Sequence, residues 1–152
     1  MTKRVDLSEN SWLDLFNLPK RLIPDIDSFQ ELWDLHPEEI SVVKIWDREI
    51  PVPRFQQSYL RDYKFSGVVS KAKPLPEEFQ PYLDWINKQE YGIFNEVLVN
   101  WYADGRSYIG SHSDAENQLV PGGPIVTITL TGEGLPRIFR FRTKTDKSIV
   151  QD

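Results

Sequence analysis

Apolar and polar positions alternate along this chain in short bursts, and the period changes from one segment to the next. Over 125–130, Val126, Ile128 and Leu130 alternate with Thr127 and Thr129, the twofold period of a strand with one buried face. Strand-like runs also cover 40–46, 54–59, 96–102 and 137–142, with Pro51 and Pro53 as punctuation. A helical period replaces them in two places. Ser28-x-x-Glu31 has the form of a capping box and predicts a helix over 28–35, with Phe29, Leu32 and Trp33 inward and Pro37 as its stop. Pro76, followed by Phe79, Tyr82, Leu83 and Ile86, predicts a second helix running to Lys88. Residues 1–24 follow neither period and read as an irregular lead-in with Trp12, Leu13, Leu15, Phe16 and Leu18 as a hydrophobic handle. Helices packed on antiparallel strands make this an α+β chain, with a lead-in and helix over 1–38 and a main domain over 39–152.

Composition narrows the classes. The 152 residues are 39% hydrophobic and 12% aromatic, enough for a core and too apolar for a disordered tail. Cysteine is absent, which excludes disulfides, thiolate metal sites and Cys nucleophiles. No apolar run approaches the ~20 residues that span a bilayer, and no signal-peptide core opens the chain, so a soluble intracellular protein without membrane contact is expected. Its place would be the nucleus in a eukaryote and the cytoplasm otherwise. A net charge of −5 and a pI near 5.1 speak against binding nucleic acid through bulk charge. One stretch runs the other way: Arg137, Arg140, Arg142, Lys144 and Lys147 face a single acid, Asp146. A solvated strand face and a phosphate-contacting patch both fit it.

The candidate chemistry lies between Asn95 and Lys144. His112-Ser113-Asp114 sets a His and a carboxylate two residues apart, a spacing that can aim both at one metal ion. Alone, the pair is a weak signal that reads first as a surface His beside a capping Asp. Its surroundings are more specific: Asn100-Trp101-Tyr102, Gly105, Ile109-Gly110, Glu116, the Pro121-Gly122-Gly123-Pro124 turn, Ile125, and the strand Arg137-x-Phe139-x-Phe141-Arg142. This ordered set resembles the AlkB-type branch of the Fe(II)/2-oxoglutarate dioxygenases, the oxidative nucleic-acid dealkylases. The resemblance implies a double-stranded β-helix (jelly roll) with the N-terminal helices packed on its sheet. It makes His112 and Asp114 ligands of Fe(II), and Asn100 and Tyr102 donors to the co-substrate 2-oxoglutarate. It also implies removal of N-alkyl groups from bases, the co-substrate being oxidised to succinate and CO₂.

Upstream, Tyr63-Lys64-Phe65-Ser66-Gly67 resembles a segment of the homologues that repair duplex DNA. A dealkylase reaches the pairing edge of a base only after that base has left the stack. The resemblance has Phe65 stacking on the flipped base against His112, with Tyr63, Ser66 and Glu116 as polar contacts; core packing of Tyr63 and Phe65 is the alternative. Val52-Pro53-Arg54 also resembles those homologues, giving Arg54 a substrate role. Ile45-Trp46 then falls at a finger that would fill the vacated space, although Trp46 reads equally as the buried end of a strand.

Three departures stand out. Ala115 occupies a position where the family pattern has an acid, and the loop over 131–136 is longer than expected. The only other histidine, His36, lies upstream, so the distal His and the Arg pair that the family brings from later strands have no counterpart here. The C-terminal strands are therefore expected to be absent, leaving an inactive or nearly inactive chain that is either a fragment of a dealkylase or its remnant. His36 as a substitute ligand is disfavoured by its place at a helix end beside Pro37. The expected partner is alkylated DNA, duplex before single-stranded, met by a monomer. A non-catalytic binder of nucleic acid or protein, and an RNA demethylase, stay open.

Overall fold

The computed structural model of the chain describes residues 3–65, 67–114, 118–132, 137–143 and 148–151. Two compact units emerge, one formed by Ile26–Ile128 and the other by Met1–Asp25 with Thr129–Asp152.

The first unit carries both helices, α1 (Ile26–Asp34) and α2 (Gln80–Ile86). Its strands pair antiparallel in twos. Numbering from the N-terminus of the chain, they are β3 (Val42–Ile45) with β4 (Arg48–Pro51), β5 (Phe55–Tyr59) with β8 (Val97–Trp101), and β6 (Tyr63–Phe65) with β7 (Val68–Ser70). The β5–β8 ladder organises this unit because its alternation sorts side chains onto two faces. Phe55 opposite Trp101 and Tyr59 opposite Val97 share one face; Gln56 opposite Asn100 and Ser58 opposite Leu98 share the other. The aromatic face meets the helices. The indole Nε1–H of Trp101 donates to the Leu32 carbonyl of α1 at 2.9 Å. Phe79, at the start of α2, lies 5.8 Å from the Tyr59 ring and 6.2 Å from the Trp101 ring. Leu32, Tyr59, Phe79, Trp85, Ile86 and Trp101 are buried here and form the core.

The second unit contains the hairpin β1 (Lys3–Ser8) and β2 (Ser11–Leu15), and the pair β9 (Phe141–Arg142) and β10 (Ile149–Gln151). Arg4 and Asp14 lie opposite each other in the hairpin and close a bidentate ion pair at 2.7 and 2.8 Å. The Arg4 guanidinium also sits 5.0 Å over the Trp12 ring.

Several elements differ from those expected. Within the expected lead-in, residues 3–15 form a regular hairpin: Val5 and Leu13 pair across β1–β2, and the turn at Glu9-Asn10 carries no Gly or Pro to announce it. Helix α1 begins two residues before Ser28, which therefore lies inside the first turn and not at the cap. Helix α2 begins at Gln80 because the stretch after Pro76 is spent on isolated turns, Phe79 N–H to Pro76 carbonyl at 3.1 Å and Gln80 N–H to Glu77 carbonyl at 3.2 Å. β4 went unread because Pro51 closes it. Its ladder partner Val42 tolerates a proline at the last position of an edge strand. Residues 125–130 keep the predicted alternation, Val126, Ile128 and Leu130 being more enclosed than their neighbours, yet form no ladder among the described residues. Burial period and strand pairing are separate properties, and a sequence pattern reports only the first. Over 137–142 only Phe141–Arg142 pairs. The architecture among the described residues is thus mixed, with two helices and small two-stranded antiparallel sheets.

Candidate active site

The polar face of β5–β8 gathers the first group of candidate residues. Arg54 precedes β5 and shares its polar face. Its Nε–H donates to Asn100 Oδ1 at 2.7 Å and its Nη2–H to Gln56 Oε1 at 2.7 Å. The guanidinium is half-buried; burial lowers its pKa from the ordinary arginine value, opposed by the neighbouring Tyr102 and Tyr63 hydroxyls. Both amide oxygens are neutral, so they orient this cation without cancelling its charge. Gln56 is 3% exposed, and its Nε2 has no hydrogen-bond partner among the described residues. Tyr102, the other expected co-substrate residue, is half-buried in the same neighbourhood. Arg54 also lines a cleft of about 280 Å³ with Ile40, Pro53, Phe55, Ala103 and Arg106. Asp104 at its rim is taken up by Arg106, which holds it at 2.8 and 3.0 Å.

His112 and Asp114 come together on the loop after β8, with Nε2 3.3 Å from Asp114 Oδ1. The other ring nitrogen, Nδ1, lies 2.8 Å from the Gly110 carbonyl. A carbonyl only accepts, so Nδ1–H donates to Gly110 and Nε2 is the ring nitrogen that faces the carboxylate. That arrangement suits a metal ligand, whose second ring nitrogen is held by an outer hydrogen bond. Both side chains are close to half exposed, at 48% and 44%, and so open to an incoming ion. Among the described residues no group of three His, Cys, Asp or Glu side chains is poised around one metal position. His36 is spent elsewhere: it stacks on Phe55 at 4.3 Å, meets Trp33 edge-on at 5.3 Å, and its Nδ1 lies 2.7 Å from the Pro37 carbonyl. It belongs to the aromatic face.

Tyr63, on β6, connects these two groups. Burial raises its pKa, the Asp114 charge adds to the rise, and Arg54 opposes it, so the phenol feels both the carboxylate and the cation. Trp46 stands at the tip of the β3–β4 hairpin, 93% exposed, and is not the buried end of a strand. The two-residue turn Trp46-Asp47 has Trp46 at φ 56°, a left-handed position where Gly is the favoured residue. A large aromatic held there without cover has no role in the core. The side chains of Ile45 and Phe65, and Ser66, Glu116, Lys144 and Lys147 entirely, lie outside the described residues. Arg137, Arg140 and Arg142 are exposed. Sequence reasoning missed Gln56 and Gln118; a glutamine in a strand or loop carries no pattern that marks it before its partners are known.

The profile of the 2OG-Fe(II) oxygenase superfamily matches residues 51–152. The DNA oxidative demethylase ALKBH2 of Mus musculus is 34% identical over 111 residues, covering 71% of this chain and 45% of that protein. Its Homo sapiens counterpart is 34% identical over 108 residues, covering 69% and 40%. The RNA replication protein of Grapevine virus A (isolate Is 151) is 30% identical over 112 residues, covering 72% of this chain and 6% of the viral protein. The chain thus spans less than half the length of these relatives.

Proposed function

Because the chain belongs to the 2OG-Fe(II) oxygenase superfamily, we propose that it is an Fe(II)- and 2-oxoglutarate-dependent enzyme that removes alkyl groups from N-alkylated bases in DNA. The observation that carries this reading is the His112–Asp114 pair, with Nε2 facing the carboxylate at 3.3 Å and Nδ1 tied to the Gly110 carbonyl. The residues fit the metal as two of its protein ligands. Bound there with its co-substrate, Fe(II) supplies the oxidation of the N-alkyl carbon, after which the group leaves as an aldehyde.

The chain's own residues would bind and orient. Asn100 and Tyr102 take the co-substrate, Asn100 with its Nδ2 because Oδ1 is occupied by Arg54. Tyr63, Phe65, Ser66, Glu116 and Arg54 would line the pocket of the extruded base. Ile45 and Trp46 would form the finger that fills the gap left in the stack. The exposure and left-handed backbone of Trp46 support that part, and with it a preference for duplex DNA. The family match supports a jelly-roll framework around the site, and the likeness to DNA oxidative demethylases of Mus musculus and Homo sapiens supports a nuclear setting in a eukaryote. No helix among the described residues is long and apolar enough to cross a membrane. A second reading, an RNA substrate, is favoured by the likeness to a viral RNA replication protein.

The test is manganese titration followed by electron paramagnetic resonance, beside mass-spectrometric assay of duplex DNA and single-stranded RNA carrying N-methyl adenine. Equimolar Mn(II) binding that disappears in His112→Ala, with methyl loss from DNA, supports the reading. Methyl loss from RNA alone moves the substrate to RNA. Absence of metal binding by the wild-type chain sinks it.

A further inference from the structure

Charge is unevenly placed within the unit Ile26–Ile128. Residues 26–39 hold five acids and no Lys or Arg, whereas residues 61–73 hold Arg61, Lys64, Lys71 and Lys73 against Asp62 alone. The β6–β7 hairpin sits in the middle of this excess. Its ladder pairs Tyr63 with Ser70 and Lys64 with Val69, and alternation sets Tyr63 and Lys64 on opposite faces. Lys64, Lys71 and Lys73 are all exposed. Just beyond the ladder, Lys71 Nζ donates to Asp62 Oδ2 at 2.6 Å and the Ala72 N–H donates to Asp62 Oδ1 at 2.9 Å. The Ala72 N–H and the Lys71 ammonium hold the Asp62 carboxyl below the usual carboxylate range, and the Lys71 and Lys64 charges add to this. One carboxylate with both oxygens engaged does not neutralise two ammonium groups. Neither Lys64 nor Lys73 has an ion-pair partner among the described residues. Gln118, four residues past Asp114, engages the Lys64 N–H and carbonyl together, so the backbone under that ammonium is fixed to the metal-side loop.

We propose that Lys64 and Lys71 on the β6–β7 hairpin form a docking surface for the phosphodiester backbone of DNA, on the strand whose base enters the pocket beside Tyr63, with Lys73 at its margin. This rests on the DNA reading of the site for the identity of the polyanion. An acidic chain repels a polyanion at a distance, so contact depends on a local excess of cations. Ammonium groups suit such a surface: each is a point charge that meets a phosphate without reading the base. Lys71 gives Asp62 one of its three N–H donors and keeps two for the backbone, so Asp62 acts as the positioning residue that holds this ammonium in place. Tyr63 and Lys64, adjacent in sequence and opposite in facing, put base contact and backbone contact on one pair of strands.

The whole chain, loaded with Mn(II), is titrated against a fluorescein-labelled DNA duplex holding one N-methyl adenine, and anisotropy is read over a series of KCl concentrations. Plotted as log affinity against log salt, the slope should fall by about one in Lys64→Gln and by about one in Lys71→Gln. Lys64→Arg keeps the wild-type slope. Asp62→Asn, which retains an oxygen for the Ala72 N–H, tightens binding several-fold at low salt. Lys88→Gln removes an exposed cation after α2, serves as the control for net charge, and leaves the slope at the wild-type value. Equal slopes in Lys64→Gln and Lys88→Gln, with Mn(II) still bound at His112, overturn the surface and leave the oxygenase reading standing. Poly-glutamate bound as tightly as the duplex overturns DNA as the occupant in favour of an acidic protein. A wild-type chain that takes up Mn(II) but no duplex removes the surface and the DNA substrate; one that takes up neither removes the oxygenase reading as well.

Discussion

The side-chain amide of Gln118 holds both main-chain groups of Lys64: Oε1 accepts the Lys64 N–H at 3.1 Å, and Nε2 donates to the Lys64 carbonyl at 2.8 Å. Lys64 lies between Tyr63 and Phe65 on β6, and Gln118 lies four residues beyond Asp114. One amide thus pairs with the outer edge of a strand as a neighbouring strand would, and it fastens the metal-side loop to the substrate-side strand.

Removing that amide should loosen both groups together. Gln118→Ala is expected to cost about 1–2 kcal/mol in denaturant unfolding, the worth of two exposed hydrogen bonds. Mn(II) affinity at His112 should fall several-fold, since a ligand loop loses an anchor. Unfolding that changes while metal affinity stays constant would leave Gln118 a purely structural residue.

Trp46 offers a separation of stability from function. At φ 56° its backbone is strained for an L side chain, and Trp46→Gly should relieve roughly 1 kcal/mol and raise the melting temperature. The same substitution should reduce action on duplex DNA far more than on a single strand. Equal losses on both substrates would count against a finger.

Tyr59 sets the alkaline limit. Burial, helped by the Glu78 charge, pushes its phenol up to about 12. The unfolded chain releases the proton near pH 10 and the folded one near 12, so in that interval the folded state holds a proton the unfolded state lacks. Stability is whole below pH 10 and declines between 10 and 12, by at most roughly 3 kcal/mol from this group. Tyr59→Phe should flatten that decline in a series of melting curves. It would not abolish it, because burial also raises Tyr63 and Tyr82.

Trp101→Phe keeps a ring in the core and removes the Nε1–H bond to the Leu32 carbonyl. The orphaned carbonyl and the smaller ring together should cost about 2–3 kcal/mol. Because Trp101 faces the helices and its neighbour Asn100 faces the polar side, 2-oxoglutarate affinity should change less than twofold. A larger change would mean that the two faces are coupled.

Much of this organisation was readable in the sequence, for identifiable reasons. The strand expected over 96–102 is present as β8 over 97–101, and its alternation sets Asn100 and Trp101 on opposite faces. His112 and Asp114 stood out through the motif around them, and their spacing of two residues suffices to bring them within 3.3 Å. Long-range selections were not readable. The choice of Arg54 between Asp104, Gln56 and Asn100 depends on which loop folds back, and among the described residues Asn100, 46 positions away, and Gln56 accept from it. The β1–β2 hairpin escaped because its strands are largely exposed and held by a cross-strand ion pair, which leaves no hydrophobic period to see.

β5 gives adjacent residues opposite duties, since Phe55 meets His36 while Gln56 meets Arg54. Replacing one of these residues is a local event. Inserting or deleting a single residue between Phe55 and Tyr59 would exchange the two faces of the strand, turning aromatic rings toward the guanidinium and amides toward the helices. In this segment the lineage can vary its letters but not its length, and a collection of natural variants should hold substitutions at 55–59 without a single in-frame indel.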